Sequence, residues 1–387
     1  MTCRLCDGET EQFLKFGNVA LAGAFLKPNQ FEDERLYPLS LEFCLSCAAV
    51  QVEQPVPAET LFSQYFYFTS ATQSGRSHFA ACADNIVDRF RPVKVVEIGC
   101  NDGALLTRLA DRGVKNVIGI DPASNVIASI TDSRVTTMNA YFSDEMGVRG
   151  ADVVVANNVF AHVPDINGFT AAVKAALAPD GVFVFEVHDL AAMIRGLQYD
   201  WIYHEHVYYY SLLTLQQHFA RHGMTIVDCE PVALHGGSVR YYARQGRHSP
   251  SAAIYGRIVA EIEDGLREID VFLRFATRVY GHRQELNWVL NKLRSRDARI
   301  AGYGASGRAA ALIQYCGIDL DYIVDDAPAK HGFCMPGSHI PIVPDEGNSD
   351  YLLLLAWTYA TEILPKCSGN VIVPLPVINV MKQAAAA

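Results

Sequence analysis

The chain has 387 residues, half of them hydrophobic and 19% charged, enough for two or three domains with substantial cores. Its net charge of −10 argues against a nucleic-acid partner, because phosphate-backbone binders carry basic footprints. No apolar run approaches the ~20 residues that a bilayer needs, and the N-terminus lacks a signal peptide's apolar centre, so a cytoplasmic protein with no membrane partner is expected. Residues 1–74 form a first unit. Cys3-x-x-Cys6 and Cys44-x-x-Cys47 are two knuckles, each able to present two thiolates from a tight turn. Four such ligands make a closed tetrahedral zinc site with no open position, hence a structural one. The alternative is four core cysteines without a metal. A strand over 36–43 is expected between the knuckles. The aromatic run from Tyr65 through Tyr67 to Phe68 either lines a pocket mouth or packs against the next domain.

The central unit spans 75–246. After a helix over 76–89, the β-branched run Val95-Val96 ends in Glu97, and a glycine-bounded turn, Gly99 to Gly103, runs into a helix. That is the strand–turn–helix of a doubly wound α/β domain, which binds ligands outside the carboxyl ends of its strands. A second strand ends in Asp121, roughly 20 residues after the glycines, where an acid suits the two hydroxyls of a ribose. The turn does not match G-x-G-x-x-G, and the charge of Glu97 would repel a pyrophosphate. It suits a cationic, phosphate-free nucleoside such as S-adenosylmethionine (SAM). A short helix (126–130), a strand (135–139), Tyr141-Phe142, and a strand (151–158) delivering Asn157-Asn158 follow. His162, a helix over 166–177 and a strand over 182–187 complete the alternation of a parallel sheet. The stretch from Asp200 to Ser211 is expected to lie over the ligand end of this sheet, and His235-Gly236-Gly237-Ser238 pairs a glycine turn with a strand.

Residues 247–293 read as a helical linker, with Ile258, Ile262, Leu266, Ile269, Leu273 and Ala276 forming one apolar face. The last unit, 294–387, opens a second α/β domain. A strand over 299–301 meets Gly302-Tyr303-Gly304-Ala305-Ser306-Gly307-Arg308, a G-x-G-x-x-G entering a helix, and a second strand ends in Asp325-Asp326. Alone this is weak evidence for a dinucleotide. Arg308 in the first helical turn favours a phosphate, and the alternative is a glycine turn for close packing only.

A methyl donor needs an activated acceptor. In Tyr203-His204-Glu205-His206 a histidine suits a general base, a neighbouring carboxylate could orient it, and Tyr203 could donate to a developing oxyanion. Chelation of a metal by His204 and His206, or a structural pair of buried histidines, are the alternatives.

With the paired knuckles, the Glu97–Gly103 loop, Asn157 to His162, Tyr203 to His206, His235 to Ser238 and Pro336 to Ile342 in view, nearly the whole chain resembles the sugar C-methyltransferase family, best known as nucleotide-sugar C-3′-methyltransferases. The resemblance implies a class I SAM-dependent methyltransferase core, flanked by a small zinc-binding domain and a C-terminal Rossmann-like α/β domain that helps to hold the nucleotide sugar. The implied SAM site comprises Glu97, Gly99, Asn101, Asp102, Gly103, Asp121, Pro122, Tyr141, Phe142, Asn157 and Asn158. The implied acceptor is a 4-keto-6-deoxyhexose on a nucleoside diphosphate, dTDP or GDP, within deoxysugar biosynthesis. His206 would be the base at C-3′, supported by Tyr203 and Glu205, with His162 near the sugar and Tyr65 or Tyr67 closing the site. His235, Ser238, Gly304, Ala305, Ser306, Arg308 and Asp325 would contact the nucleotide sugar, and a monomer is expected. Two features depart from the family pattern. Its glycine loop usually carries a lysine where Ser306-Gly307-Arg308 stands, and Asp325-Asp326-Ala327-Pro328 replaces an asparagine-proline form. The alternatives are a methyltransferase acting on another small molecule and a nicotinamide-dependent oxidoreductase using the 302–307 loop.

Overall fold

The computed structural model describes residues 2–62, 68–233, 236–344, 347–367 and 369–383. Near the N-terminus, β1 (Thr10–Ala20), β2 (Leu36–Cys44) and β3 (Val50–Val52) pair antiparallel in that order. The next strands are β4 (Lys94–Ile98), β5 (Asn116–Ile120), β6 (Val135–Met138), β7 (Ala151–Asn157), β8 (Leu177–His188), β9 (Tyr208–Tyr209), β10 (Met224–Val232) and β11 (Ser238–Gln245). Seven of them form one sheet in the order β10-β11-β8-β7-β4-β5-β6, parallel from β8 to β6, with β11 antiparallel to both its neighbours. Both faces of its centre are covered. Val95, Val153, Val155 and Val184 pack with Phe79, Ile86 and Leu105 on one side, while Val96, Val154, Phe183 and Phe185 pack with Phe160, Phe169 and Phe219 on the other. Double burial is why these strands read as unbroken apolar runs rather than alternating ones.

Strand β9 leaves this sheet and pairs with β3, Val50 opposite Tyr209 and Gln51 opposite Tyr208. The cysteine-bearing sheet is thus completed by a segment of the central unit. The linker differs from its expected form. It is two helices, Ala252–Glu263 and Ile269–Arg294, separated at Gly265, whose φ of +73° favours glycine. The expected apolar stripe is corrected in part: Leu266 is buried and Ile258, Ile269 and Ala276 pack on the core, but Ile262 and Leu273 are exposed, and the buried face of the second helix is Phe272, Phe275, Val279, Leu286 and Leu290. The reason is tertiary. Phe272 sits against Phe13 and Phe43 of the N-terminal sheet, at ring distances of 5.3 and 4.8 Å.

The last sheet contains β12 (Ile300–Tyr303), β13 (Ile323–Val324), β14 (Ile342–Val343), β15 (Tyr351–Leu354), β16 (Gly369–Val373) and β17 (Asn379–Gln383). Its order is β14-β13-β12-β15-β16-β17, parallel except for β17. The N-terminal unit bridges to it as well. Gln314 hydrogen-bonds both backbone groups of Ala20, and Leu26 pairs with Cys334.

Candidate active site

The four cysteines of the knuckles come together with their ligand atoms all within 4.8 Å of one another. The Sγ atoms of Cys3 and Cys47 are 3.7 Å apart, and those of Cys6 and Cys44 3.5 Å apart. Zinc–sulfur bonds of ~2.3 Å in a tetrahedron give an edge of about 3.8 Å, so this cage fits zinc. Among the described residues it is the one such cluster. His204 donates from Nε2 to the Pro38 carbonyl at 3.1 Å and His206 faces the Trp201 carbonyl, and among the described residues neither belongs to a cluster of three or more metal-ligating side chains.

A cavity of about 350 Å³ opens at the carboxyl ends of the central strands. It lies where the strand order reverses between β4 and β7, the topological switch point of a doubly wound sheet. Of the residues expected to hold SAM, Glu97, Gly99, Asn101, Asp121, Pro122, Tyr141, Phe142, Asn157 and Asn158 line it. Asp102 and Gly103 do not. Asp102 accepts the Ser70 N–H at 2.9 Å, and Gly103 begins the helix Ala104–Asp111 at a φ of +75° with Ile130 close against it. Gly99 has a φ of +69°, and a Cβ there would lie 2.3 Å from a methyl of Val159, so only glycine fits this turn.

Asp121 accepts the Asn101 N–H at 2.9 Å on one oxygen and the Ala123 N–H at 2.8 Å on the other, and each oxygen keeps a lone pair for a hydroxyl. Glu97 is buried, and its Oε2 has no hydrogen-bond partner among the described residues. Burial, with Asp121 and Asp102 nearby, pushes its carboxyl well above the usual range. Such a group is costly as an unpaired anion and is stabilised by a bound cation. The acid pair therefore fits a ribose and a positively charged nucleoside. Asp121→Ala is expected to weaken SAM binding about tenfold or more by titration calorimetry, the loss typical of a charged hydrogen-bond acceptor. A dissociation constant within about twofold of the native protein's would remove Asp121 from the ribose site.

The same cavity is also lined by His162, His188, Trp201, Tyr203, His206 and Tyr209. The Nδ1 of His206 lies 2.7 Å from the Trp201 carbonyl. A carbonyl only accepts, so Nδ1 carries the proton and Nε2 keeps its lone pair. The ring is 4.2 Å from that of Tyr203, 4.9 Å from that of Trp201 and 5.0 Å from that of His162. Burial pulls His206 down to about 4, and His162 lies well below the ordinary imidazole value for the same reason, with the neighbouring His206 adding to it. Burial, with Glu205 adjacent, pushes the Tyr203 hydroxyl well above its usual value, so it stays a donor. Glu205 is buried but does not line the cavity, and one of its oxygens lies 3.2 Å from where a Cβ on Gly23 would sit.

The depressed imidazole has a consequence for stability. The unfolded chain takes up a proton at this histidine as pH falls through ~6.5, whereas the folded chain resists until about 4. Native stability from the neutral ring is therefore complete above ~6.5 and lost on acidification towards 4. An asparagine at 206 does not titrate. His206→Asn should gain on the native protein by roughly 2 kcal/mol between pH 7 and 5, read from denaturant midpoints at each pH; a pH-independent difference would contradict the depressed value.

The other expected substrate contacts are spread more widely. Tyr65, Tyr67 and His235 lie outside the described residues. Ser238 is buried in β11 opposite His188. In the C-terminal unit, Gly304 has a φ of +99° and abuts Ala356, and Ser306 caps the helix Gly307–Cys316 by accepting the Ala309 N–H at 3.2 Å. Asp325 accepts the Ala305 N–H at 2.8 Å and pairs with Lys330 at 3.0 Å. Arg308 is bound by Asp200, with Nε and Nη2 at 2.8 and 2.6 Å from one carboxylate oxygen. The stretch from Asp200 to Ser211 does lie over this end of the sheet, with Trp201 and Tyr209, which sequence reasoning did not single out, among the lining residues; His188, and Lys330 beside the glycine loop, were missed. The aromatic density of 199–210 was the available signal for Trp201 and Tyr209; nothing local marks His188 or Lys330.

Comparison with known proteins agrees with this geometry. The model of a C-methyltransferase C-terminal domain matches residues 233–376, that of a methyltransferase domain residues 74–228, and that of a putative zinc binding domain residues 3–62. The C-methyltransferase NovU of Streptomyces niveus is 32% identical over 400 residues, covering 97% of this chain and 95% of that protein. The ubiquinone biosynthesis O-methyltransferase of Rhodopseudomonas palustris (strain HaA2) is 27% identical over 157 residues, covering 35% of this chain and 60% of that one. Among solved structures, the magnesium protoporphyrin IX methyltransferase of Synechocystis PCC 6803 with bound SAH matches at 13% identity and a TM-score of 0.36, covering 44% of this chain and 83% of that one. The four-cysteine cage, the switch-point cavity and the full-length similarity together place the chain in the C-methyltransferase family, as a SAM-dependent enzyme with a class I methyltransferase core and a structural zinc.

Proposed function

We propose that the enzyme methylates C-3′ of a 4-keto-6-deoxyhexose linked to a nucleoside diphosphate, dTDP or GDP, in deoxysugar biosynthesis, with His206 as the base. The observation that carries this reading is the position of His206, its Nδ1 held by the Trp201 carbonyl, in the same cavity as Glu97 and Asp121. A carbon beside a ketone is acidic enough for an imidazole to deprotonate, because the electron pair spreads onto the carbonyl oxygen. His206 takes the C-3′ proton at Nε2, and Tyr203 donates to the enolate oxygen. SAM supplies an electrophilic methyl group: the C-3′–methyl bond forms as the sulfur–methyl bond breaks, and its electron pair stays on sulfur. The walls orient the two reactants, a contribution of up to ~7–11 kcal/mol in well-aligned systems. One donor on the enolate oxygen typically adds ~3–4 kcal/mol.

A second reading keeps the C-methyltransferase chemistry but takes another small molecule as acceptor, with the last domain a packing module. One observation favours it: Arg308 and Asp325 already have protein partners. Titration with dTDP and GDP separates the two. The nucleotide-sugar reading expects saturable binding that weakens when Lys330→Ala removes the ammonium beside the Ala305 carbonyl. No binding at millimolar nucleotide favours the second reading.

A further inference from the structure

Asp200 is 1% exposed, and its carboxylate lies where the central unit meets the C-terminal one. One oxygen accepts from Arg308 and from the Trp357 indole N–H at 2.9 Å, while Oδ1 has no hydrogen-bond partner among the described residues. Withdrawing a carboxylate from water this completely is unfavourable unless a cation is fixed against it, so the position of Asp200 depends on Arg308. The guanidinium of Arg308 also lies over two indoles, 4.9 Å from the Trp201 ring and 5.0 Å from the Trp357 ring, and donates to the Thr358 hydroxyl at 3.1 Å. A planar cation held between two rings and a carboxylate is a rigid clamp. Its grip falls on Asp200-Trp201, the end of the single 3-10 turn Tyr199–Trp201.

The backbone oxygen of that same Trp201 receives the His206 Nδ1–H at 2.7 Å and the Tyr209 hydroxyl at 3.3 Å. We propose that Arg308 and Asp200 are positioning residues for the base: by clamping Trp201 they hold the carbonyl that selects the Nδ1–H tautomer of His206 and leaves Nε2 unprotonated toward the reaction. Were the turn to relax, the imidazole would lose its acceptor, and the competing tautomer would put a proton on the nitrogen that must take one. The C-terminal helix also touches the neighbouring wall. A Cβ on Gly307 would lie 3.5 Å from the Tyr203 ring. The unit that begins with the glycine loop therefore reaches the reacting end of the cavity through two contacts, 108 residues along the chain from Asp200. The role assigned to Arg308 differs from the phosphate contact expected for it, and the proposal's catalytic consequence rests on the reading of His206 as the base.

The test is side-chain nitrogen NMR of full-length, zinc-loaded protein labelled with 15N-histidine, the His206 signals being identified by their loss in His206→Asn. The native protein should show one tautomer, with Nδ1 protonated. Arg308→Gln, Asp200→Asn and the double variant should each show a mixture, with turnover lowered roughly 10–100-fold, as for small misplacements of a reacting group. SAM affinity should be unchanged. The double variant should be no slower than the worse single one, because both act through one contact. Trp357→Phe keeps a ring but removes one donor to Asp200. It should shift the tautomer less and in the same direction, and it carries the test if the charge variants do not fold. An unchanged tautomer in the folded variants overturns the proposal. Turnover that falls with the tautomer unchanged would also overturn it, and would assign Arg308 to the substrate. A mixed tautomer with unchanged turnover would support the clamp and remove His206 as the base.

Discussion

Replacing His206 by asparagine is expected to lower methyl transfer by a factor of ~10²–10⁴, the usual share of a positioned general base, while SAM still binds. Asparagine is the informative substitution because its amide N–H can follow the imidazole Nδ1–H to the Trp201 carbonyl, 2.7 Å away in the native protein. The turn at 199–201 and the stacking wall are then largely preserved. What is lost is the Nε2 lone pair, and an amide offers no replacement at neutral pH. The residues expected to hold the nucleoside are untouched, since Glu97 and Asp121 lie at the ends of β4 and β5. Calorimetry should therefore give a SAM affinity within about twofold of the native value. Turnover should fall without a compensating change in the Michaelis constant, which marks an interaction made in the transition state rather than in binding. Near-normal turnover would take His206 out of the mechanism. In that case His162 is the next candidate on the same wall, since burial keeps it neutral as well.

The residues that line the cavity differ in how far the sequence discloses them. The switch-point turn that lines the cavity was legible because its parts are contiguous. A β-branched run, an acid, a glycine-bounded turn and a helix start lie within a dozen residues, and each has a local physical reason. The zinc ligands were legible for the same reason, as two pairs at knuckle spacing. His206 could be named, but not its tautomer, because the deciding acceptor is a backbone oxygen five residues away whose position depends on a distant salt bridge. Arg308 was only partly legible for a related reason. An arginine in the first turn of a helix after a glycine loop looks like an anion ligand, and only the folded chain shows Asp200 against it. The linker stripe from Ile258 to Ala276 fitted a helical period, but it ran across the break at Gly265, and the phenylalanines outside it had the better partners. Strand β9 is two residues long. Nothing about Tyr208-Tyr209 names Val50 and Gln51 as its neighbours.

That last pairing makes the zinc site matter beyond its own unit. Removing the metal, by chelation or by Cys44→Ser, is expected to lower both thermal stability and turnover, although no cysteine of the cage lines the cavity. Cys44 ends β2 and Cys47 lies three residues before the start of β3, so the cage fixes the turn that sets those two strands in register. On its far edge β3 carries β9. The Thr214 hydroxyl, in the first turn of the helix Leu212–Arg221, donates to the carbonyl of Ala48 within the same knuckle at 3.0 Å. Tyr208, Tyr209 and Tyr210 in turn form part of the cavity wall beside His206. Without the metal, four thiols at van der Waals distance lose the bonds that justify their arrangement. Metal binding in small four-cysteine units is largely folding free energy, several kcal/mol or more. At ~2–4 °C per kcal/mol for domains of this size, the unfolding midpoint should drop by roughly 10 °C. Elemental analysis should find one zinc per native chain and none in Cys44→Ser. Cys82→Ser, which alters a buried thiol outside the cage, should keep its zinc. Metal-free protein with a native midpoint and native turnover would mean that the cysteines hold the sheet by packing alone.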